Sequence, residues 1–223
     1  MAQEPTRIVI VDDHALLADS LAAWIGRQSD LSLIGYAADG LAGLELCLKT
    51  KPDLALLDIE LPKMDGLELV KQLLVKMPQI RLLAMSGRMD PYTIWRVSHC
   101  GVHGYVEKTL RPQVLMEAIR TVAQGKVYFS PLCQEVKQEW LSQPEAFQKI
   151  LSDREQEVLR RVVAGWDDEN IGKHLGITAT TVTVHRKHIR QKLELHNDRE
   201  LVAYARRWGL DKGIDVSSPP HRH

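Results

Sequence analysis

Apolar runs alternate with segments of helical periodicity along the first 125 residues of the chain. The apolar runs predict strands at 7–11, 31–37, 54–57, 80–85 and 102–106. The periodic segments predict helices at 15–25, 41–48, 67–77, 91–100 and 112–124. The run at 54–57 has no polar alternation, which is typical of strands covered on both faces. Five strands alternating with five helices predict an α/β fold with a doubly wound, five-stranded parallel sheet.

Polar side chains follow four of these strands at the point where each strand ends. Asp12 and Asp13 follow the first strand, Asp58 the third, Ser86 the fourth and Lys108 the fifth. Taken alone, Asp58 is more simply a turn residue or a helix cap. Because the carboxyl ends of parallel strands meet at one edge of the sheet, however, we expect all of these side chains to lie beside one crevice.

The chemistry of this predicted crevice follows from its charges. Carboxylates that converge repel one another unless a hard cation lies among them. Mg²⁺ suits such a site, because it accepts oxygen ligands from a few carboxylates while it retains waters and binds phosphate oxygens. A carboxylate beside that ion can attack a phosphoryl donor and become an aspartyl phosphate. The hydroxyl of Ser86 and the ammonium of Lys108 are the partners that such a group needs.

A second helical module is predicted near the end of the chain. Ser152 and Glu155 form a capping-box pattern at the start of one helix, and a short helix follows the acidic run 167–169. Gly176 turns the chain, and Thr178 begins a helix that spans 179–193. This order predicts a helix-turn-helix. The last helix has an apolar stripe and a polar, basic remainder, which suits a major groove, although a solvated face is the simpler interpretation of such charges.

Composition narrows the class of protein. The 223 residues carry no net charge, but residues after Gln148 have 14 basic against 11 acidic side chains, compared with 15 against 18 before that point. The basic excess favours an anionic partner for the second module. Three cysteines without close spacing indicate neither a zinc site nor a disulfide framework. No apolar run is long enough to cross a bilayer, so we expect a cytoplasmic protein without a membrane partner.

Residues 7–125 resemble the receiver domain of two-component response regulators, which has a flavodoxin-like fold. The resemblance rests on DDH at 12–14, LLDIELPKMDG at 56–66, AMSG at 84–87 and GYVEK at 104–108. It implies phosphorylation of Asp58 by a sensor histidine kinase. It further implies a Mg²⁺ site formed by Asp12, Asp13, Asp58 and the backbone carbonyl of Glu60. It also implies a signalling set of Ser86, Tyr105 and Lys108. An ordinary strand aromatic remains an equal alternative for Tyr105.

Residues 151–209 are similar to the DNA-binding module of the NarL/FixJ, or LuxR-type, regulators. The similarity rests on LSDREQEVLRRVVAGW and IGKHLGITATTVTVHRKHIRQKL. It implies base contacts by Thr183, Val184 and Lys187 and a pairing of protomers through a closing helix at 198–208. Arg186 and Arg190 complete the predicted set of DNA-binding residues. Thr183 stands where many relatives carry Lys, and the acidic run 167–169 disfavours a close phosphate, so the operator sequence stays open.

Together these patterns predict a receiver domain at 6–125, a linker at 126–150, a LuxR-type helix-turn-helix domain at 151–210 and a flexible tail at 211–223. The predicted function is that of a response regulator that controls transcription, binds double-stranded DNA as a homodimer when phosphorylated, and is not an enzyme. The alternative is a Mg²⁺-dependent phosphatase with Asp58 as nucleophile and Glu60 as general acid. That alternative leaves the helix-turn-helix without a role.

Overall fold

The computed structural model describes residues 4–87 and 90–207, except for the side chains of residues 144 and 145. The chain divides into two compact units, Met1–Gln138 and Glu139–His223. The first is an α/β unit and the second is helical. None of the described helices is both long enough and apolar enough to cross a membrane.

The first unit is built on a parallel sheet. Its strands are β1 (Thr6–Val11), β2 (Leu31–Ala37), β3 (Leu54–Asp58), β4 (Arg81–Ser86), β5 (Gly104–Glu107) and β6 (Tyr128–Phe129). They lie in the order β2-β1-β3-β4-β5-β6, and every neighbouring pair is parallel. The order reverses between β1 and β3, which opens the crevice that doubly wound sheets use for ligands. The predicted α/β fold is therefore confirmed.

Helices cover both faces of this sheet. They are α1 (Ala15–Ile25), α2 (Gly40–Thr50), α3 (Gly66–Lys76), α4 (Pro91–Ser98) and α5 (Pro112–Ala123). Alternate residues of the strands point into two separate cores. One core packs Val9 and Leu57 with residues of α2, α3 and α4, and the other packs Ile8 and Leu56 with residues of α1 and α5. The apolar run of β3 is thus buried on both sides, as its lack of alternation predicts.

The sheet has six strands rather than the five that the sequence predicts. The sixth, β6, lies within 126–150, which the sequence analysis assigns to a linker. That segment also contains α6 (Pro131–Leu141) and α7 (Pro144–Ile150). The amide of Tyr128 donates to the carbonyl of His103 at 3.0 Å, and that of Ser130 donates to the carbonyl of Tyr105 at 3.1 Å. Two residues are too few for a periodic pattern, so only these pairings reveal the strand.

The second unit contains the predicted helix-turn-helix. Its helices after α7 are α8 (Asp153–Val163), α9 (Asp168–Leu175), α10 (Ala179–Lys192) and α11 (Asp198–Arg207). Gly176 adopts a left-handed conformation with φ 66° and ends α9. The Thr178 side chain accepts a hydrogen bond from the amide of Thr181 and so caps α10. Trp208, at the end of the predicted closing helix, and the predicted tail at 211–223 lie outside the described residues.

Candidate functional sites

The acidic pocket lies at the carboxyl ends of β1 and β3. Asp12 follows β1 and Asp58 ends β3, and both side chains are almost fully buried, with 0% and 1% of their surface exposed. Possible ligand atoms of Asp12, Asp13, His14 and Asp58 all lie within 4.8 Å of one another. The structure therefore brings together the three carboxylates that the sequence places at one sheet edge. Carboxylate oxygens grouped in this way can hold a hard divalent cation.

Lys108 reaches into the pocket from the residue after β5. Its Nζ atom lies 2.7 Å from Oδ2 of Asp58 and 2.8 Å from Oδ2 of Asp12. The backbone fixes this approach, because the amide of Lys108 donates to the carbonyl of Ser86 at 2.9 Å. A single ammonium group thus serves two buried carboxylates. The pair of acids retains an excess negative charge that a cation would neutralise.

Burial and neighbouring charges shift the pKa values of these groups. Burial raises the pKa of Asp58 above its ordinary value, and the hydrogen bonds from Lys108 and from the amide of Glu60 offset only part of that effect. Burial by itself lowers the pKa of Lys108, but its hydrogen bonds to Asp12 and Asp58 outweigh that effect and raise the pKa. The site therefore favours the charged form of Lys108, while it makes the charged form of Asp58 less favourable than in an exposed aspartate.

The loop between β3 and α3 positions the carboxylate of Asp58. The amide of Glu60 donates to Oδ1 of Asp58 at 3.0 Å. Gly66 allows the loop to close tightly, because a Cβ atom there would stand 2.4 Å from the carbonyl oxygen of Asp58. The side chain of Asp65 caps α3 by accepting from the amide of Leu67. Asp65 and Gly66 thus hold the start of α3 close to the backbone of Asp58.

Ser86 and Tyr105 lie together beside the pocket. Both residues are completely buried, Ser86 at the end of β4 and Tyr105 in β5. The hydroxyl of Tyr105 is hydrogen-bonded to Ser86, and burial raises the pKa of the tyrosine. Full burial of the ring is compatible both with a signalling role and with an ordinary strand aromatic, so the role of Tyr105 stays a prediction. The two hydroxyl groups form a continuous polar contact between the pocket edge and the core.

His14 is a pocket residue to which the sequence analysis assigns no separate role. It does occupy the N-cap position of α1, but its side chain makes no capping hydrogen bond. Instead, Nδ1 lies 2.8 Å from Oδ1 of Asp13 and 3.4 Å from Nζ of Lys108. The contact of the His14 ring with Asp13 and Lys108 depends on the rotamer of one exposed side chain, which a sequence pattern does not specify. The sequence signal was its position directly after two strand-end acids.

The second candidate site is the exposed face of α10. Val182, Ile189 and Leu193 are buried against the rest of the unit. On the other face, Thr183, Val184 and Lys187 are exposed, with 45% of the surface of Val184 accessible. An exposed hydroxyl, a methyl-bearing side chain and a cation on one helical face are the groups that contact base edges and phosphates in a major groove.

Two of the predicted DNA-binding residues form ion pairs inside the unit. Arg186 pairs with Asp168 of α9 and with Asp198 of α11, each at 2.5 Å. Arg190 pairs with Asp198 as well. Both arginines are only partly exposed. Their guanidinium groups brace α10 between its neighbouring helices, a role that the sequence analysis did not assign, so their part in DNA binding stays a prediction.

Glu155 is the buried carboxylate of the second unit. It completes the predicted capping box of α8, with its carboxylate accepting from the amide of Ser152 at 2.9 Å. The same oxygen lies 2.7 Å from Nζ of Lys192 at the end of α10. Burial raises the pKa of Glu155, but its hydrogen bonds with Lys192 and Ser152 outweigh burial and lower the pKa below its ordinary value. The pairing fixes the end of α10 to the start of α8.

Comparisons with known proteins match both units. Residues 8–120 match the family model of the response regulator receiver domain, and residues 149–205 match that of the bacterial regulatory proteins of the luxR family. The response regulator protein VraR of Staphylococcus aureus is 28% identical over 199 residues, which cover 89% of this chain and 95% of VraR.

Solved structures show the same architecture. The RcsB response regulator of Salmonella typhimurium aligns with a TM-score of 0.60 and 23% identity over 92% of this chain and 99% of its own. The signal receiver domain of NarL from Mycobacterium tuberculosis aligns with a TM-score of 0.54 and 28% identity, covering 56% of this chain and all of that domain.

A parallel α/β unit with carboxylates at its strand ends, followed by a helix-turn-helix unit, defines a two-part regulator. The match of the receiver model to half of the sequence makes the assignment specific. The chain belongs to the response regulator family, and its second unit is of the luxR type. It is a two-component response regulator that combines a receiver domain with a DNA-binding domain for transcription regulation.

Proposed function

We propose that Asp58 accepts a phosphoryl group from a sensor histidine kinase. The observation that carries this proposal is the position of its carboxylate, which is buried at the end of β3 and lies 2.7 Å from the ammonium of Lys108. An oxygen of Asp58 attacks phosphorus, the bond from phosphorus to the donor breaks, and the donor leaves with the bonding electron pair. Lys108 balances the charge that the phosphoryl group brings.

Asp12, Asp13 and Asp58 are the side chains that would hold Mg²⁺ during this reaction, with the backbone carbonyl of Glu60 as a further ligand. The donor set fits the ion, since carboxylate and carbonyl oxygens are the ligands that Mg²⁺ prefers. The uncompensated charge of the two buried acids also supports a cation at this place. When bound, Mg²⁺ neutralises phosphate oxygens. The chain's own residues orient Asp58 through the amide of Glu60.

Ser86, Tyr105 and Lys108 form the proposed switch. The hydroxyl of Ser86 and the ammonium of Lys108 would bond phosphate oxygens, and the contact between Ser86 and Tyr105 would change in consequence. Dimeric binding to double-stranded DNA in the cytoplasm is the proposed output. Thr183, Val184 and Lys187 would contact the groove, with Arg186 and Arg190 beside them. Two protomers would then contact half-sites about one helical turn apart.

The phosphatase alternative has less support. It requires Glu60 as a general acid, but Glu60 is exposed to solvent, and its amide is the group that donates a hydrogen bond to Asp58 at 3.0 Å. The luxR-type unit would also have no part in such a reaction. We therefore propose that the chain is a phosphorylated regulator and has no separate enzymatic activity.

Labelling with acetyl phosphate in the presence of Mg²⁺ tests the phosphoacceptor. The wild-type chain is expected to form an acid-stable, base-labile phosphoprotein, and D58N is expected to form none. D53N is the matched control, because Asp53 is exposed and directly precedes the other end of the same strand. Undiminished labelling of D58N, or loss of labelling in D53N as well, would contradict the assignment.

DNA binding as a function of salt tests the output. Binding by the phosphodonor-treated chain is expected to weaken steeply with salt, because released counterions drive it. K187A is expected to cost about 1–3 kcal/mol on the preferred sequence if Lys187 contacts a base. An equal loss on all sequences would assign Lys187 to phosphate, and binding that ignores salt would argue against nucleic acid.

A further inference from the structure

The hydroxyl of Thr183 is held in one orientation by the helix that precedes it in the helix-turn-helix. Its Oγ1 atom lies 2.7 Å from Oδ2 of Asp168 and 3.1 Å from the carbonyl oxygen of Ala179. A carboxylate and a carbonyl can only accept hydrogen bonds, while a threonine hydroxyl has one proton and two acceptor lone pairs. The proton of Thr183 is therefore used inside the protein, whichever of the two oxygens takes it.

Asp168 is itself fixed, so this orientation is not a chance rotamer of two exposed side chains. Its other oxygen, Oδ1, accepts from Arg186 at 2.5 Å. Arg186 is in turn bound by Asp198 from α11. The carboxylate is thus clamped between α9 and α10 and directs one oxygen at Thr183. Thr183 is exposed, so its lone pairs remain accessible from outside the unit.

We propose that Asp168 fixes Thr183 as a hydrogen-bond acceptor toward DNA, so that α10 selects an exocyclic amino group of adenine or cytosine at that position. In the major groove, N6 of adenine and N4 of cytosine are the donors, whereas N7, O6 and O4 are acceptors. This inference rests on the proposed function, namely that α10 enters the major groove. It makes Asp168 a positioning residue that acts through Thr183 on the specificity of binding.

The carboxylate has a second effect on the contact. An acid beside Thr183 repels phosphate oxygens and also disfavours the electronegative base acceptors, so it penalises the wrong groups as well as orienting the hydroxyl. Glu169, the next residue of α9, is exposed and adds the same charge to the same helix end, but its side chain makes no contact with Thr183 among the described residues. Substitution of Glu169 therefore tests the effect of negative charge alone, whereas substitution of Asp168 also tests the orientation of the Thr183 hydroxyl.

The first experiment locates the base pair that Thr183 contacts. The full chain, treated with acetyl phosphate and Mg²⁺, is used to select sites from randomised duplex DNA. Binding of wild type, T183V and T183S to the selected site and to its single base-pair variants is then measured. T183V has nearly the same shape without the hydroxyl, so it is expected to lose about 3- to 10-fold in affinity at one base pair, as one hydrogen bond would give. T183S is expected to keep the preference.

The second experiment identifies the atom that Thr183 contacts. At that base pair, N6-methyladenine or N4-methylcytosine removes the groove-facing amino hydrogen, and a 7-deazapurine removes the N7 acceptor instead. The advantage of wild type over T183V is expected to vanish with the methylated base and to persist with the 7-deaza base. Because valine and threonine have nearly equal size, a mere steric clash with the methyl group would weaken both proteins equally and leave the ratio unchanged.

The third experiment tests the positioning role of Asp168. The carboxamide introduced by D168N can accept from Arg186 with its oxygen and donate to Thr183 with its nitrogen, so residue 168 no longer takes the threonine proton, which can then turn from the more distant carbonyl of Ala179 toward DNA. D168N is therefore expected to transfer the dependence from the amino group to N7, whereas E169Q, which removes the same charge, is expected to keep the dependence on the amino group. A merely structural role of Asp168 would lower affinity on all sequences without this exchange.

Several results would overturn the inference. These are an advantage of the Thr183 hydroxyl that depends on N7 in the wild type, no base pair at which T183V differs from wild type, or the same base dependence in D168N as in wild type. Failure of the proposed function has a different signature, namely that the folded wild-type chain shows no salt-dependent binding to any duplex. Sequence-selective binding without coupling between Thr183 and the amino group overturns only the inference drawn here.

Discussion

Asp58 in the first unit and Glu155 in the second are both almost completely buried and paired with a lysine, yet the surroundings of the two carboxylates differ. Asp58 is 1% exposed and shares Lys108 with a second buried acid, Asp12. Glu155 is 4% exposed, pairs with Lys192 and also accepts hydrogen bonds from the amide and the hydroxyl of Ser152. Burial outweighs the hydrogen bonds of Asp58 and raises its pKa, whereas the hydrogen bonds of Glu155 with Lys192 and Ser152 outweigh burial and lower its pKa.

The difference distinguishes a reactive carboxylate from a structural one. The hydrogen bonds of Glu155 come from Ser152 and Lys192, and they compensate its charge within the protein. The hydrogen bonds of Asp58 with Lys108 and the amide of Glu60 offset only part of the effect of burial, so its environment favours the arrival of a cation and makes its charge responsive to what binds. Burial alone therefore does not indicate a functional site. The informative feature is burial that the protein leaves incompletely neutralised.

Removal of Lys108 gives the largest expected effect on stability. K108A leaves two buried carboxylates without their shared cation, which is expected to lower the free energy of unfolding of the first unit by about 3 kcal/mol in EDTA. Added Mg²⁺ is expected to restore part of that loss. Denaturant unfolding gives the free energy, and hydrogen exchange of peptides assigns the change to the first unit.

K63A is the matched control for this prediction. Lys63 forms an equally short ion pair with Asp39, at 2.6 Å, but its side chain is 63% exposed. Its removal is expected to cost less than about 1 kcal/mol, because solvent screens the exposed ammonium and Asp39 keeps its hydrogen bond from the amide of Ala42. Equal losses in K63A and K108A would contradict the importance that we assign to burial.

Removal of the charge of Glu155 is expected to have the next largest effect. E155Q loses charge-assisted hydrogen bonds to Lys192 and Ser152, so the second unit is expected to lose about 2 kcal/mol of unfolding free energy. E157Q is the control on the same helix, since Glu157 pairs with Arg154 at 2.8 Å but is 46% exposed. It is expected to cost less than about 1 kcal/mol. The account of Glu155 fails if E157Q destabilises the unit as much.

D58N is expected to have a smaller effect of the opposite sign. In EDTA the substitution removes an incompletely neutralised charge and leaves Lys108 to Asp12 alone, so the first unit is expected to gain stability on the order of 1 kcal/mol. D53N, just before the opposite end of β3, is expected to show no such gain. Thermal unfolding in EDTA measures both variants. A loss of stability in D58N would show that Lys108 neutralises both acids sufficiently.

The sequence predicts the first site better than the second because the two depend on different kinds of information. Asp12, Asp58 and Lys108 meet because parallel strands bring their carboxyl ends to one edge, and the strands are evident as apolar runs. The strand β6 escapes prediction because its two residues are recognised only through backbone hydrogen bonds with β5 and its neighbours. A sequence pattern reveals strands and helices of several residues, whereas a strand of two residues is recognised only from its backbone hydrogen bonds in the folded protein.

In the second unit, the helices are predictable but the ion pairs are not. Capping residues such as Ser152 and Thr178 act within one turn, so the sequence alone locates the helix starts. The pairing of Arg186 with Asp168 and Asp198 spans 18 and 12 residues and depends on how three helices approach one another. The basic pattern of α10 therefore predicts a DNA contact for Arg186, but it does not reveal that this side chain also forms ion pairs with the neighbouring helices.

The dependence of stability on pH is the last and smallest expected difference between the two units. Because the folded-state pKa of Asp58 is raised above 3.8, its contribution to stability is present below that value and is lost as the pH rises through the folded-state pKa. Because the pKa of Glu155 is lowered from 4.5, its contribution is present above that value and is lost as the pH falls through the folded-state pKa.

Unfolding of wild type, D58N and E155Q is measured from pH 3 to 7 in EDTA. The unfolding free energy of each variant is subtracted from that of wild type at each pH, so the pH dependence shared by the two proteins is removed. The difference between wild type and D58N is expected to decline with rising pH. The difference between wild type and E155Q is expected to increase. Two differences with the same sign of slope would show that both buried carboxylates are equally compensated, and the contrast between a reactive and a structural acid would be wrong.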